Sequence, residues 1–206
     1  MTARRIGVCA CCISMLSACS SSAPVSPSTP TVPTLRGSVT DPVGDARSTT
    51  AIPPDLTSAT IEVANGVVAV TVGFTAGTVS QSDVYLVMLL DTDQNPATGY
   101  PGVTSGGIDA ALIGGDYLVY LPGTPGGGSA TISRATSATA ITVVSIAPLT
   151  FSSTQVRAQF SLSLLGGSDG HMKFKVVSAQ FLNAGANTTG VADIMPDAGL
   201  PPGVVQ

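Results

Sequence analysis

The chain has 206 residues, of which 44% are hydrophobic and only 10% are charged. This composition excludes disorder of the whole chain, which requires low hydrophobicity together with high net charge. The formal net charge of −4 leaves no basic surface for nucleic acid, so no nucleic-acid partner is expected. The length favours one domain with a tail over two domains.

The first eighteen residues have the pattern of a secretory signal peptide. Arg4 and Arg5 precede an apolar stretch that runs from Ile6 to Ala18. In helical form this stretch spans only about 20 Å, which is too short for a bilayer core of roughly 30 Å. A charged segment followed by a short apolar segment is typical of a signal peptide, so residues 1–18 are predicted to be removed.

The predicted signal ends in Leu16-Ser17-Ala18-Cys19, and this motif resembles the lipobox of bacterial lipoproteins. The resemblance implies cleavage before Cys19, a diacylglycerol on its sulfur and acylation of the new N-terminus. Because two or three acyl chains anchor a protein stably, we expect an extracytoplasmic protein that is held to the membrane by the lipid on Cys19, at the cell surface or the periplasmic face. An ordinary secretory signal with a chance cysteine is the alternative.

Residues 19–35 carry this cysteine and a linker rich in Ser, Pro and Thr. Prolines recur at every third position from Pro24 to Pro33, and this spacing matches the three-residue turn of polyproline II. We therefore expect an extended tether ahead of the domain. Since Cys19 is the last cysteine in the sequence, the domain is predicted to have no disulfide and no thiol metal site.

Residues 36–200 are predicted to form a β-sandwich domain, followed by a C-terminal tail at 201–206. Its clearest unit is a hairpin in which Asn65-Gly66 joins two alternating runs, Ala59–Ala64 and Val67–Phe74. Asn-Gly favours a type I′ turn, because both central residues of that turn need a positive φ. A two-residue loop pairs Val63 with Val68 and puts the apolar side chains of both strands on one face.

Further strands are predicted along the chain. Val84–Leu90 is continuously apolar, which indicates a central strand buried on both faces, with a short helix as the alternative. Strands are also predicted at 117–121, 140–146, 156–164 and 173–181, with a single helical turn at Leu164-Leu165. About eight to ten strands with frequent turn signals predict an all-β fold, namely an antiparallel, jelly-roll-like β-sandwich.

The loop after Val84–Leu90 is the strongest chemical signal in the sequence. Asp91, Asp93 and Asn95 alternate, so a tight loop can turn three oxygen-bearing side chains toward one point, as Ca²⁺ requires. Ca²⁺ takes six to eight oxygens, and further ligands are expected from acidic residues near other strand ends: Asp109, Asp116, Asp45 and Asp55. Asp, Asn, Pro and Gly are also what an ordinary turn needs, so a purely structural turn is the alternative.

Several acidic turn motifs together resemble a known class of domain. They are Asp41-Pro-Val-Gly-Asp45, Pro53-Pro-Asp55-Leu, Leu90-Asp-Thr-Asp-Gln-Asn-Pro-Ala-Thr-Gly99, Gly115-Asp116-Tyr117 and Asp193-Ile-Met-Pro-Asp197. Over most of residues 38–198 the chain looks like the bacterial extracellular β-sandwich modules related to carbohydrate-binding family 9 and to DOMON-like domains. The resemblance implies a jelly-roll sandwich with structural calcium at the Asp91 loop, but it implies no single activity.

The expected function is that of a non-catalytic, lipid-anchored envelope module that binds a glycan or another envelope component. The sequence has no Trp on which a sugar could stack, so Tyr100 is the candidate ligand contact, with a turn tyrosine over the sheet edge as the alternative. No haem or nucleotide is expected, because His171 lies in a predicted turn and the run Gly126–Gly128 lacks the lysine of a phosphate loop. An accessory lipoprotein that contacts an envelope protein is the main alternative, followed by a small hydrolase or a carrier of apolar ligands.

Overall fold

The computed structural model describes residues 34–47, 54–79, 84–102, 113–123, 128–183 and 188–206. All of them fall within one unit, Val32–Gln206. This part of the chain contains no helix that is long and apolar enough to cross a membrane. Its strands are β1 (Leu35–Thr40), β2 (Leu56–Ala64), β3 (Val67–Phe74), β4 (Val84–Asp91), β5 (Tyr117–Pro122), β6 (Ser129–Ala135), β7 (Ile141–Phe151), β8 (Gln155–Ser161), β9 (Met172–Asn183), β10 (Thr188–Met195) and β11 (Gly203–Val205).

The described strands follow one continuous antiparallel path, and the long strand β7 divides it into two sheets. The first sheet has the order β1-β2-β3-β8 and ends with the C-terminal part of β7, which pairs with β8 over Leu149–Phe151. The second sheet begins with the N-terminal part of β7, which pairs with β6 over Ile141–Pro148, and continues β6-β5-β4-β9-β10. Since all of these pairings are antiparallel, the predicted antiparallel β-sandwich is confirmed.

The predicted hairpin is confirmed together with its register. Strands β2 and β3 pair Val63 with Val68 and Ile61 with Val70. Asn65 and Gly66 both have positive φ, at 51° and 74°, as a type I′ turn requires. The pairing residues of this face are buried in the main core between the sheets, so turn chemistry and burial select the same register.

Strand β4 lies between β5 and β9, and both of its faces are buried. Leu86 and Met88 belong to the main core, whereas Val87 and Leu89 pack into a second, smaller apolar cluster on the opposite face of the sheet, with Ile113 among its members. The continuous run of apolar residues therefore has a physical reason, because each face of β4 contacts its own cluster.

The C-terminal residues take part in the sandwich. Strand β11 pairs with β9, with Gly203 opposite Phe174, and the backbone N–H of Arg36 in β1 donates to the carbonyl oxygen of Gln206 at 3.1 Å. Residues 201–206, predicted to be a tail, thus connect the second sheet to the first. The predicted helical turn is present as a 3₁₀ turn at Leu162–Leu165, and the described residues contain eleven strands where eight to ten were predicted.

Candidate cation site at the acidic loop

The acidic loop, residues 91–99, begins where β4 ends. In the pairing of β4 with β5, Leu90 lies opposite Tyr117. The residues just beyond this pair, Asp91 and Asp116, are therefore neighbours at the ends of adjacent strands. Sheet register alone brings together two carboxylates that are distant in sequence.

A backbone contact then folds the loop over this strand end. Tyr100 and Gly115 exchange two backbone hydrogen bonds of 2.8 Å. A Cβ at Gly99 would lie 2.5 Å from the carbonyl oxygen of Gly115, and the φ of Gly99 is +66°. Glycine permits both the close approach and the left-handed conformation, so this position fixes how tightly the loop closes.

Three carboxylates converge at this point. Asp91, Asp93 and Asp116 each offer one oxygen, and these oxygens lie within 4.8 Å of one another. Asp91 is completely buried, and neither of its carboxylate oxygens accepts a hydrogen bond from the part of the chain that the structure describes. Its carboxyl group lies within hydrogen-bonding reach of that of Asp93, so the two can share a proton. Asp116 is half-buried and Asp93 is exposed, so the cluster leads from the interior to the surface.

The buried carboxylate of Asp91 is electrostatically unfavourable when it is charged. Burial is the largest cause, and together with the neighbouring carboxylates it raises the pKa of Asp91 to about 6, although the ammonium group of Lys173 opposes the shift. Lys173 lies opposite Asp91 in β9, but its Nζ donates to the carbonyl oxygen of Gln94 at 3.1 Å. A buried carboxylate without a partner needs a proton or a cation.

The outer part of the loop is held by its own polar side chains. Asp116 Oδ2 accepts hydrogen bonds from the backbone N–H and the hydroxyl of Thr92, both at 2.9 Å. Asp93 accepts from the backbone N–H of Asn95 at 2.8 Å and from Thr98 Oγ1 at 2.9 Å. The bond from Asn95 is the largest cause that lowers the pKa of Asp93. These bonds fit a structural turn as well as a metal site, but a turn alone does not account for the unpartnered Asp91.

A cleft of about 320 Å³, the loop cleft, opens beside the acidic loop. Its lining includes Asp93 and Asp116 together with Thr98, Arg134 and Thr136. Arg134 and Thr136 are exposed. The cleft has the size of a small ligand pocket, and it joins two of the three clustered carboxylates to hydroxyl and guanidinium groups.

The structure places the other predicted site residues as follows. Asn95 Oδ1 accepts from the backbone N–H of Ala97 at 3.1 Å, so this side chain shapes the turn. Tyr100 is half-buried and packs against the smaller apolar cluster. His171 lies in the turn before β9, where its backbone N–H donates to Asp169 Oδ1 at 2.9 Å. Cys19 and Asp109 lie outside the described residues.

Two features of this region were not predicted from the sequence. Thr92 and Thr98 act as hydroxyl donors to Asp116 and Asp93, and only the abundance of Thr in the loop hinted at such a role. Asp45, predicted as a further ligand of this loop, belongs instead to a separate group of acidic residues with Asp41 and Asp193.

No protein-family model matches this chain, and no curated protein matches it in sequence. The resemblance to carbohydrate-binding family 9 and DOMON-like modules therefore stays a prediction.

Proposed function

We propose that the protein is a non-catalytic β-sandwich module, held at the cell envelope by a lipid on Cys19, that binds Ca²⁺ in the acidic loop and a glycan or another envelope component in the loop cleft. The observation that supports this proposal is the fully buried, unpartnered carboxylate of Asp91 beside those of Asp93 and Asp116.

The ligand set favours Ca²⁺ over other metals. Carboxylate oxygens are hard ligands, which suit Ca²⁺ and Mg²⁺, whereas Zn²⁺ sites rely mainly on His and Cys. Ca²⁺ tolerates irregular geometry, while Mg²⁺ demands near-ideal octahedral geometry and usually keeps several waters beside one or two carboxylates. A half-exposed set drawn from a loop and a neighbouring strand end therefore fits Ca²⁺ better.

The loop cleft supports binding of a polar ligand. Two of the clustered carboxylates line it together with threonine hydroxyls and the guanidinium group of Arg134. Such groups form hydrogen bonds with sugar hydroxyls and with acidic substituents. This polar lining favours a glycan over an apolar ligand as the occupant.

Calcium binding can be tested by titrating Ca²⁺ calorimetrically into purified protein from which EDTA has removed bound metal. Asp91→Asn keeps the size of the side chain but removes its charge, so it should remove one equivalent of bound Ca²⁺. Asp169→Asn is the matched control, because Asp169 is an exposed turn residue outside both acidic groups. Unchanged binding in Asp91→Asn would refute the calcium proposal.

Ligand binding in the cleft needs its own experiment. An array of neutral and acidic glycans, probed with the purified protein in Ca²⁺ and in EDTA, should show signals that weaken in EDTA. Arg134→Ala should reduce the same signals, whereas Arg157→Ala, an exposed arginine on β8 outside the cleft, should not. An array without signals, or signals that ignore Arg134→Ala, would contradict the glycan proposal.

One observation favours the second candidate, an accessory lipoprotein that contacts another envelope protein. The N-terminal part of β7 pairs with β6 along one edge, and no other described strand pairs with its opposite edge. Its apolar side chains are open to solvent, with Val143 60% and Ile146 68% exposed. Uncovered strand edges and exposed apolar patches are typical of protein contacts. Val143→Lys should weaken capture of such a partner without changing Ca²⁺ binding.

A further inference from the structure

A second group of acidic residues lies where the first sheet meets β10. Asp41 directly follows β1, Asp45 lies four residues further on, and Asp193 is in β10. Each offers a carboxylate oxygen, and these oxygens lie within 4.8 Å of one another. Residues far apart in the sequence are therefore brought to one point by the fold.

Hydrogen bonds hold this second cluster in place. Asp193 Oδ2 accepts from the backbone N–H of Leu56 at 2.7 Å, and its Oδ1 accepts from the backbone N–H of Ile194 at 2.8 Å. Asp55 acts as a positioning residue, since it accepts from the backbone N–H of Gly44 at 2.9 Å. Gly44 has a φ of +88°, a left-handed conformation that favours glycine. The turn that carries Asp41 and Asp45 is thus fixed by contacts outside the cluster.

The carboxylate of Asp41 is the independent sign of a ligand. Asp41 as a residue is half-buried, but both of its carboxylate oxygens are sealed from solvent, and neither accepts a hydrogen bond from the part of the chain that the structure describes. By contrast, Asp193 is 5% exposed and accepts hydrogen bonds from two backbone N–H groups. A carboxylate that is closed off from water normally accepts several hydrogen bonds, so the oxygens of Asp41 lack the partners that their burial requires.

The surrounding charges do not compensate the cluster. Asp55 and Asp197 add negative potential, and burial, followed by the carboxylate of Asp193, raises the pKa of Asp41 to about 8. Among the described residues, the side-chain ion pair joins Arg36 to Glu62 and involves none of the clustered carboxylates. Lys175 interacts with Asp197, and the causes that shift the pKa of Asp41 are burial and neighbouring carboxylates. The cluster therefore favours a bound cation or retained protons.

We propose that Asp41, Asp45 and Asp193 form a second Ca²⁺ site, separate from the acidic loop, which clamps the turn after β1 to β10. Calcium–oxygen distances are about 2.3–2.6 Å, so ligand oxygens on opposite sides of one ion stand about 5 Å apart. The spacing of up to 4.8 Å among the three carboxylates fits one ion between them. The cation joins the edge strand pair of the first sheet to the edge of the second.

The site also reinforces an existing contact. The backbone N–H of Arg47 donates to the carbonyl oxygen of Ala192 at 2.7 Å, next to Asp193. A cation beside this bond ties the same two segments together through side chains. The clamp thus strengthens a junction that the backbone already makes.

The number of bound calcium ions tests this proposal. Native mass spectrometry of the purified protein at millimolar free Ca²⁺ should show two ions per chain. Asp41→Asn and Asp45→Asn should each leave one ion, and either change combined with Asp91→Asn should leave none. Asp169→Asn, in the exposed turn before β9, should keep two.

Folding of the variants is checked by their far-ultraviolet circular dichroism in EDTA. Asp45 is exposed, so Asp45→Asn should fold normally and keeps the test informative even if Asp41→Asn does not fold. Loss of one ion in Asp45→Asn but not in Asp91→Asn would support this second site and refute the loop site. The proposal would be overturned if a folded Asp41→Asn or Asp45→Asn variant still bound two ions. It would also be overturned if the original protein bound a single ion and Asp91→Asn removed it.

Discussion

Replacement of Asp91 by Asn should have opposite effects on stability with and without Ca²⁺. In EDTA, the amide avoids the unfavourable ionisation of a fully buried, unpartnered carboxylate, so the variant should melt at the same temperature as the original protein or higher. In Ca²⁺, the original protein gains binding free energy that the variant lacks. The two proteins should therefore change rank when calcium is added.

The size of the calcium effect follows from linkage. A ligand at a hundredfold excess over its Kd stabilises the native state by about 2.7 kcal/mol per site. At roughly 2.1 cal/mol/K per residue, the unit Val32–Gln206 has an unfolding entropy of about 0.37 kcal/mol/K. Division of the first quantity by the second gives a rise in melting temperature of about 7 °C, which Asp91→Asn should lose.

Differential scanning calorimetry in EDTA and in about 10 mM Ca²⁺, a hundredfold excess over a Kd of about 10⁻⁴ M, measures both effects, with Asp169→Asn as the control of equal chemistry. If the acidic loop is only a turn, Asp91→Asn should show the same calcium-induced rise as the original protein. A variant that is destabilised equally in both buffers would likewise refute the reasoning, since it would give Asp91 a structural role without a metal.

Three further predictions concern pH, backbone strain and anchoring. In EDTA, stability should fall as pH rises from about 4 to 8. The pKa values of Asp91 and Asp41 are raised from 3.8 to about 6 and about 8, and an acid with a raised folded-state pKa costs stability as it ionises. Ca²⁺ should suppress this fall, and a melting temperature that does not change with pH in EDTA would contradict the prediction. Gly99→Ala should cost about 2 kcal/mol in denaturant unfolding. Gly77→Ala should cost only about 1 kcal/mol, because Gly77 also has a positive φ, +83°, but a Cβ there would meet no atom of the described residues within 4 Å. Equal losses would show that the contact with Gly115 is unimportant. Cys19→Ala should move the protein from the membrane fraction to the soluble fraction on immunoblots, and continued sedimentation with membranes would argue against the lipid anchor.

Local chemistry explains why part of the fold could be predicted from the sequence. The β2–β3 register depends on an Asn-Gly turn and on alternation within fifteen residues of it, and both signals lie next to each other in the chain. The burial of β4 was predictable because an uninterrupted apolar run has to contact apolar groups on both faces. The pairing of β3 with β8 was not, since no local signal states which distant strand will lie beside it.

The same distinction applies to the sites. Asp91 and Asp93 are close in sequence, and Asp116 was a candidate because it precedes a predicted strand. The second cluster needs Asp193 to lie beside Asp41, which depends on how β10 packs against the start of the first sheet. The acidic turn at Asp41 was visible in the sequence, but its partner across the fold was not.

The two proposed calcium sites and the proposed export belong to one physical argument. Both clusters contain carboxylates whose burial penalises the metal-free protein, and the sequence has no cysteine after Cys19 that could replace a cation clamp with a disulfide. Calcium sites of extracellular modules have Kd values of about 10⁻⁴–10⁻³ M, so sites of this strength stay empty where Ca²⁺ is scarce and fill where it is abundant. Full stability should then be reached only outside the cytoplasm, where a lipid on Cys19 would hold the domain. The melting temperature of the purified protein should accordingly rise most steeply between 10⁻⁴ and 10⁻² M Ca²⁺. If the rise were already complete at micromolar Ca²⁺, the sites would be filled at low Ca²⁺ as well, and calcium binding would give no support to the proposed export.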